Sequence, residues 1–104
     1  MKRVINGSFY NTQTAELLHN WSNRRYGNDF RNCEESLYKT NRGAYFIRGE
    51  GGAMSKYARS CGSNSMCGGD ELRVVSEAEA MQWLEEHEGS DVLIEKFADK
   101  IKEA

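Results

Sequence analysis

No proline occurs in the 104 residues, no apolar run reaches membrane-spanning length, and only two histidines and three cysteines are present. Each scarcity excludes something. Without proline or a repeat there is no stiff linker to divide the chain, and a length below about 150 residues leaves room for one core. A transmembrane helix needs about 20 mainly apolar residues, and no such stretch exists, so no membrane contact is expected. The start, Met1-Lys2-Arg3-Val4-Ile5, turns polar at Asn6 and lacks the apolar stretch of a signal peptide. An odd cysteine count without secretory context points to the cytoplasm, with all three thiols reduced.

The same scarcity limits chemistry. A structural zinc site needs four ligands, usually as two closely spaced pairs. Here Cys61 and Cys67 are separated by five intervening residues, and Cys33, His19 and His87 are scattered. No metal is expected. Neither histidine sits in a signature that would activate a cysteine nucleophile. Glu34-Glu35 and Glu85-Glu86 are adjacent in sequence, so their side chains diverge and do not form an acid–base pair. The run from Gly49 to Lys56 is glycine-rich, but it lacks P-loop spacing and Glu50 would repel a phosphate. The chain is therefore read as a non-enzyme without cofactor. A domain of this size also buries a modest share of its surface, which favours binding on an outer face over a deep cavity.

What is present is patterned. Asn6-Gly7, between Val4-Ile5 and Ser8-Phe9-Tyr10, predicts a hairpin with a two-residue turn. Residues 14–21 are ambiguous, since Ala15, Leu17, His19 and Trp21 alternate while Ala15, Leu18 and Trp21 fit a helical face. The alternation favours a strand. A second hairpin is predicted across Asn41-Arg42-Gly43, followed by a short helix over Ala53–Arg59, a loose stretch over Ser60–Gly69 and a strand over Glu71–Val75. Ser76 and Glu79 form a capping box, and Ala80, Met81, Trp83, Leu84 and His87 share one helical face. Gly89 ends this helix. Ser90 caps another, with Leu93, Ile94, Phe97, Ala98 and Ile101 as its apolar stripe.

These elements predict an α+β fold: a small antiparallel β-sheet of hairpins with two C-terminal α-helices packed on one face. The chain reads as one domain, 1–104, β-rich over 1–75 and helical over 76–104. Charge divides at the same place. Residues 1–75 carry 11 Lys/Arg against 7 Asp/Glu, a net of +4, and residues 76–104 carry 3 against 9, a net of −6, which together give −2. Such asymmetry bears on partners. Two surfaces qualify for partner contact: the acidic positions Glu85, Glu88, Asp91, Glu95 and Asp99, and the basic positions Arg24, Arg25 and Arg31. An alternative is a single-stranded nucleic-acid module. In it Phe9, Tyr10, Trp21, Tyr26, Phe30, Tyr38, Tyr45 and Phe46 would stack bases beside Arg24, Arg25, Arg31, Arg42 and Arg48. A small-nucleotide-sequestering protein is a further alternative.

Several stretches resemble small proteins associated with phages, integrative elements and genomic islands. They are Val4–Gly7, Tyr10–Ala15, Glu35–Thr40, Gly49–Tyr57 and Ser76–Leu84, spread over about residues 3–88. The second hairpin and the glycine-rich stretch are the most specific. The resemblance implies anti-defence activity, such as an anti-CRISPR protein that blocks a bacterial nucleoprotein effector in the host cytoplasm. It implies no catalytic residues.

Overall fold

A computed structural model describes residues 1–24 and 29–104. Eight strands are followed by two helices: β1 (Lys2–Ile5), β2 (Ser8–Asn11), β3 (Glu16–Ser22), β4 (Cys33–Lys39), β5 (Tyr45–Gly51), β6 (Arg59–Gly62), β7 (Ser65–Cys67), β8 (Gly69–Val75), α1 (Glu77–Glu86) and α2 (Ser90–Lys96). A short 3₁₀ turn, Ala98–Lys100, follows α2. The fold is the expected α+β arrangement, with strands paired antiparallel throughout.

Turn chemistry sets both predicted hairpins. Asn6 and Gly7 take φ of 50° and 82°, the consecutive left-handed pair for which Asn-Gly is suited. Gly43 at φ 87° closes the β4–β5 turn, where Thr40 N donates to Ala44 O at 2.8 Å. The central sheet runs β3-β4-β5-β8. Period-two alternation then sorts its side chains. One face carries Leu37, Tyr45 and Ile47 into a cluster with Ala80, Trp83, Leu84, Leu93 and Phe97 of the helical segment. The opposite face carries Phe46 and Leu72, which pack with Tyr10 from the β1–β2 hairpin.

Residues 14–21 resolve as the strand β3, with a correction to its facing. A register shift between Leu17 and His19 inserts one extra residue, so Leu18 packs on the core while Leu17 is exposed. The short helix expected over Ala53–Arg59 is absent. The segment instead makes two successive turns, Ser55 N to Gly52 O at 3.0 Å and Ala58 N to Ser55 O at 3.1 Å, and Arg59 opens β6. The stretch over Ser60–Gly69 is not loose either. It forms the β6–β7 hairpin and the first residue of β8, and Cys61 and Cys67 are joined by a disulfide across that hairpin. The expectation of three reduced thiols is corrected accordingly. Cross-strand placement brings their Cα atoms to 5.8 Å, within bridging range, which linear spacing could not disclose. Cysteine usage no longer argues for a reducing compartment. Cys33 remains a free, buried thiol.

At the C-terminus the Ser76–Glu79 capping box forms in full. The next connection differs from expectation. Glu88 takes the left-handed conformation at φ 63°, and Gly89, not Ser90, occupies the N-cap of α2, without a side-chain cap. Gly89 is buried against Leu84, where a Cβ would clash with that side chain. Because α2 ends at Lys96 after two turns, the five-residue stripe is cut short. Leu93 and Phe97 are buried, whereas Ile94 is 64% exposed and Ile101 41%. Among the described residues no helix is long and apolar enough to cross a membrane.

Candidate functional site

Between the sheet and α1 lies a polar knot centred on Glu35, which has no exposed surface. Strand alternation turns Glu35 inward from β4, although its neighbour Glu34 faces the other way and is exposed. Five side chains converge on it. Tyr57 Oη donates to Oε2, and Trp83 Nε1 donates to Oε1 at 3.0 Å. Lys56 Nζ lies 2.9 Å from Oε2, Arg73 Nη1 3.6 Å from Oε2, and His87 Nε2 3.1 Å from Oε1. Burial by itself would push this carboxyl up. Hydrogen bonds from Tyr57, Lys56 and Trp83 outweigh it and bring the value from 4.5 down to about 2. Tyr57 moves the other way, raised by its own burial and by donating to the carboxylate.

The knot explains the glycine-rich stretch. In the register Trp21–Glu35–Gly49–Glu71, Gly49 sits beside Glu35 on the helix-facing side. A Cβ on Gly49 would fall inside the Tyr57 ring. The missing side chain leaves a slot in which the phenol lies, and the two turns after β5 return Lys56 and Tyr57 to the carboxylate. His87 completes the lid. Its Nδ1 lies 2.7 Å from Trp83 O, its ring stacks on Trp83 at 4.5 Å, and Trp21 meets it edge-on at 4.7 Å. His19 Nε2 contacts His87 O at 2.8 Å. With its oxygens taken by donors and its charge strongly favoured, Glu35 is placed to brace the fold rather than to shuttle protons near neutrality.

The knot fixes the base from which α1, α2 and the 3₁₀ turn present the acidic positions. Glu85, Glu88, Asp91, Glu95 and Asp99 are all exposed and follow one another along this segment. Lys96 pairs outward with Glu16 at 3.1 Å, and Lys100 pairs with Glu77 at 3.3 Å. Among the described residues no cation pairs with Glu85, Asp91, Glu95 or Asp99.

The two described basic positions, Arg24 and Arg31, are each paired with an acid. Arg24 reaches Glu88 at 3.6 Å, so it belongs to the edge of the acidic ridge. Arg31, two residues before β4, pairs with Asp29 at 3.3 Å. Arg25 falls outside the described residues, as does Tyr26. Most described rings of the stacking set are at least half-covered. Tyr10, Tyr45 and Phe46 are buried, Trp21 and Tyr38 are half-buried, and Phe9 and Phe30 alone of the described set stay exposed.

Sequence reasoning missed Glu35 itself. The one available signal was a glutamate at an inward position of a strand whose next inward residue is Leu37, with no partner nearby in sequence. The partners come from 21 to 52 residues downstream, between Lys56 and His87. Comparison of the chain with protein-family models, curated proteins and solved structures returned no match.

Proposed function

We propose that this protein is a stoichiometric inhibitor of a bacterial defence system, of anti-CRISPR type, carried by a phage or mobile element. In this reading the acidic helical ridge occupies a basic surface of a nucleoprotein effector in the host cytoplasm, without turnover. The observation that carries it is the ridge: five exposed carboxylates in series on a segment braced from beneath by Glu35. Nucleic-acid grooves are basic, so carboxylates held at fixed spacing gain Coulombic attraction there and lose little conformational freedom on binding. The resemblance to mobile-element proteins supplies the choice of target class. The sheet-wide nucleic-acid reading is weaker, because the aromatic rings it requires are packed in the core.

The test is phage plaquing on hosts with active CRISPR systems of several types, with and without this chain expressed. Rescue is expected in at least one type. Glu85→Lys, Glu88→Lys and Glu95→Lys together should abolish it while leaving the fold intact, since all three side chains are exposed. Binding of the purified effector should also weaken as salt rises. No rescue in any type, combined with tight binding of naked RNA by the purified protein, overturns the reading.

A further inference from the structure

A cleft of about 440 Å³ opens on the face of the molecule that carries the N-terminal hairpin, between that hairpin and the β4–β5 turn. Its size lies within the range of about 300–1,000 Å³ common to small-molecule sites. Two lining residues stand out. Phe9 pairs with Val4 on the outward side of the β1–β2 hairpin and keeps 59% of its surface in water. Arg42, at the tip of the β4–β5 turn, is exposed. Among the described residues it is the one arginine whose side chain has no partner. Arg3 is bonded to Leu72 O, Arg24 to Glu88, Arg31 to Asp29, Arg48 to Glu50, Arg59 to Asp70 and Arg73 to Tyr57 and Glu35.

The lining contains no carboxylate. A larger cleft of about 680 Å³ near Phe30 does contain acids, but Glu50 and Asp70 there are already paired with Arg48 and Arg59. The walls of the smaller cleft are fixed before any ligand arrives. Asn11 Oδ1 accepts from Gln13 N at 3.0 Å, and Thr40 Oγ1 accepts from Ala44 N at 3.0 Å. The amide of Asn41 at the rim has no partner among the described residues. An exposed ring, an uncompensated guanidinium and the Asn41 amide around one opening are complementary to an anion that carries an aromatic ring.

We propose that this cleft binds a nucleotide, with the base stacked on Phe9 and the phosphate held by Arg42. Asn41 meets the ribose or the base edge. Stacking is indifferent to base identity because every base has a π-face, and the guanidinium matches phosphate in charge and shape. The nucleotide is either free or one unit of a single strand, since both offer the same chemistry. The site lies away from the acidic ridge and stands independently of the inhibitor reading.

Calorimetric titration of the full chain with 5′-AMP, 5′-UMP, adenosine and a uridine octamer tests the proposal, using wild type, Phe9→Ala, Arg42→Ala and Arg42→Lys. Mononucleotide should bind wild type and weaken about tenfold or more in each alanine variant. Adenosine should lose affinity in Phe9→Ala but not in Arg42→Ala. An octamer bound at least tenfold more tightly than mononucleotide identifies a strand as the source, and equal affinities identify the free nucleotide. Should Phe9→Ala lose its fold, Arg42→Ala and ligand-induced amide shifts at Gly7 and Gly43 carry the test. No binding to wild type at millimolar concentration, or unchanged binding in a folded alanine variant, overturns the proposal.

Discussion

On one face of the four-stranded sheet, eight buried apolar residues and an ionised carboxylate are sealed beneath two helices. On the other, three buried residues sit under a two-stranded hairpin, and much of the remaining surface meets water. The difference teaches where each kind of group is tolerated. Under the helices a charge survives because Tyr57, Trp83, Lys56, Arg73 and His87 surround it, since a buried carboxylate without such partners would neutralise instead. On the hairpin side the cover is partial, so a phenylalanine and an arginine remain with their binding capacity unspent. Stability is concentrated on the first face and spare chemistry on the second.

Removing the central charge should have a large effect. Glu35→Gln is expected to lower unfolding free energy by about 3 kcal/mol, the lower end for breaking a buried ion pair, because Lys56 and Arg73 can turn to water. Urea unfolding at neutral pH measures this. A loss below about 1 kcal/mol means that the knot adds little beyond packing.

Acid should reproduce the same loss in the native sequence. The Glu35 carboxyl is held at about 2 in the folded chain against 4.5 unperturbed, so its stabilisation is complete above about pH 4.5. It drains away as pH falls towards 2, by roughly 3 kcal/mol in all. Denaturation midpoints across pH 2–6 should follow this slope in wild type, and the contribution should vanish in Glu35→Gln. Equal slopes would place the acid sensitivity elsewhere.

A pair of phenylalanines contrasts the two faces directly. Phe97, buried among the helices, should cost about 3–5 kcal/mol when cut to alanine. Phe9, exposed at the cleft, should change stability by no more than about 0.5 kcal/mol. Similar thermal midpoints for the two variants would erase the distinction.

A moderate effect should arise at the β6–β7 hairpin, which belongs to neither face. A disulfide closing so short a loop contributes about 2 kcal/mol on the chain-entropy model, so Cys61→Ser with Cys67→Ser should cost no more than this. Thiol titration without reductant should give one thiol in denatured protein and almost none in native protein. Cys33 is buried, and burial together with the nearby Glu35 charge pushes its thiol up. Three thiols on denaturation would remove the disulfide.

Local signals were legible wherever a few neighbouring residues decide the outcome. Asn6-Gly7, Gly43 and the Ser76–Glu79 box each impose a backbone conformation through their own side chains, or the lack of one, and each appears as expected. The alternation in β3 was legible as a strand but not in its facing, because a bulge is settled by pairing with β4. The acidic ridge was readable as a charge count. Its contact with a basic residue was not, since Arg24 meets Glu88 only after the chain has closed across 64 positions.

Composition, period and turn chemistry by themselves determined the α+β class, the hairpin turns, the start of α1 and the charge division between the two parts of the chain. Tertiary structure alone decided that Glu35 is a buried hub, that Gly49 exists to admit Tyr57, that Cys61 meets Cys67, and that Arg42 is left without a partner among the described residues. The reason is one of range. A turn or a cap is an interaction over two or three residues, so its sequence carries the outcome. A carboxylate's partner, a slot for a ring or the absence of a counter-charge depends on which distant segments the sheet and helices bring within about 4 Å.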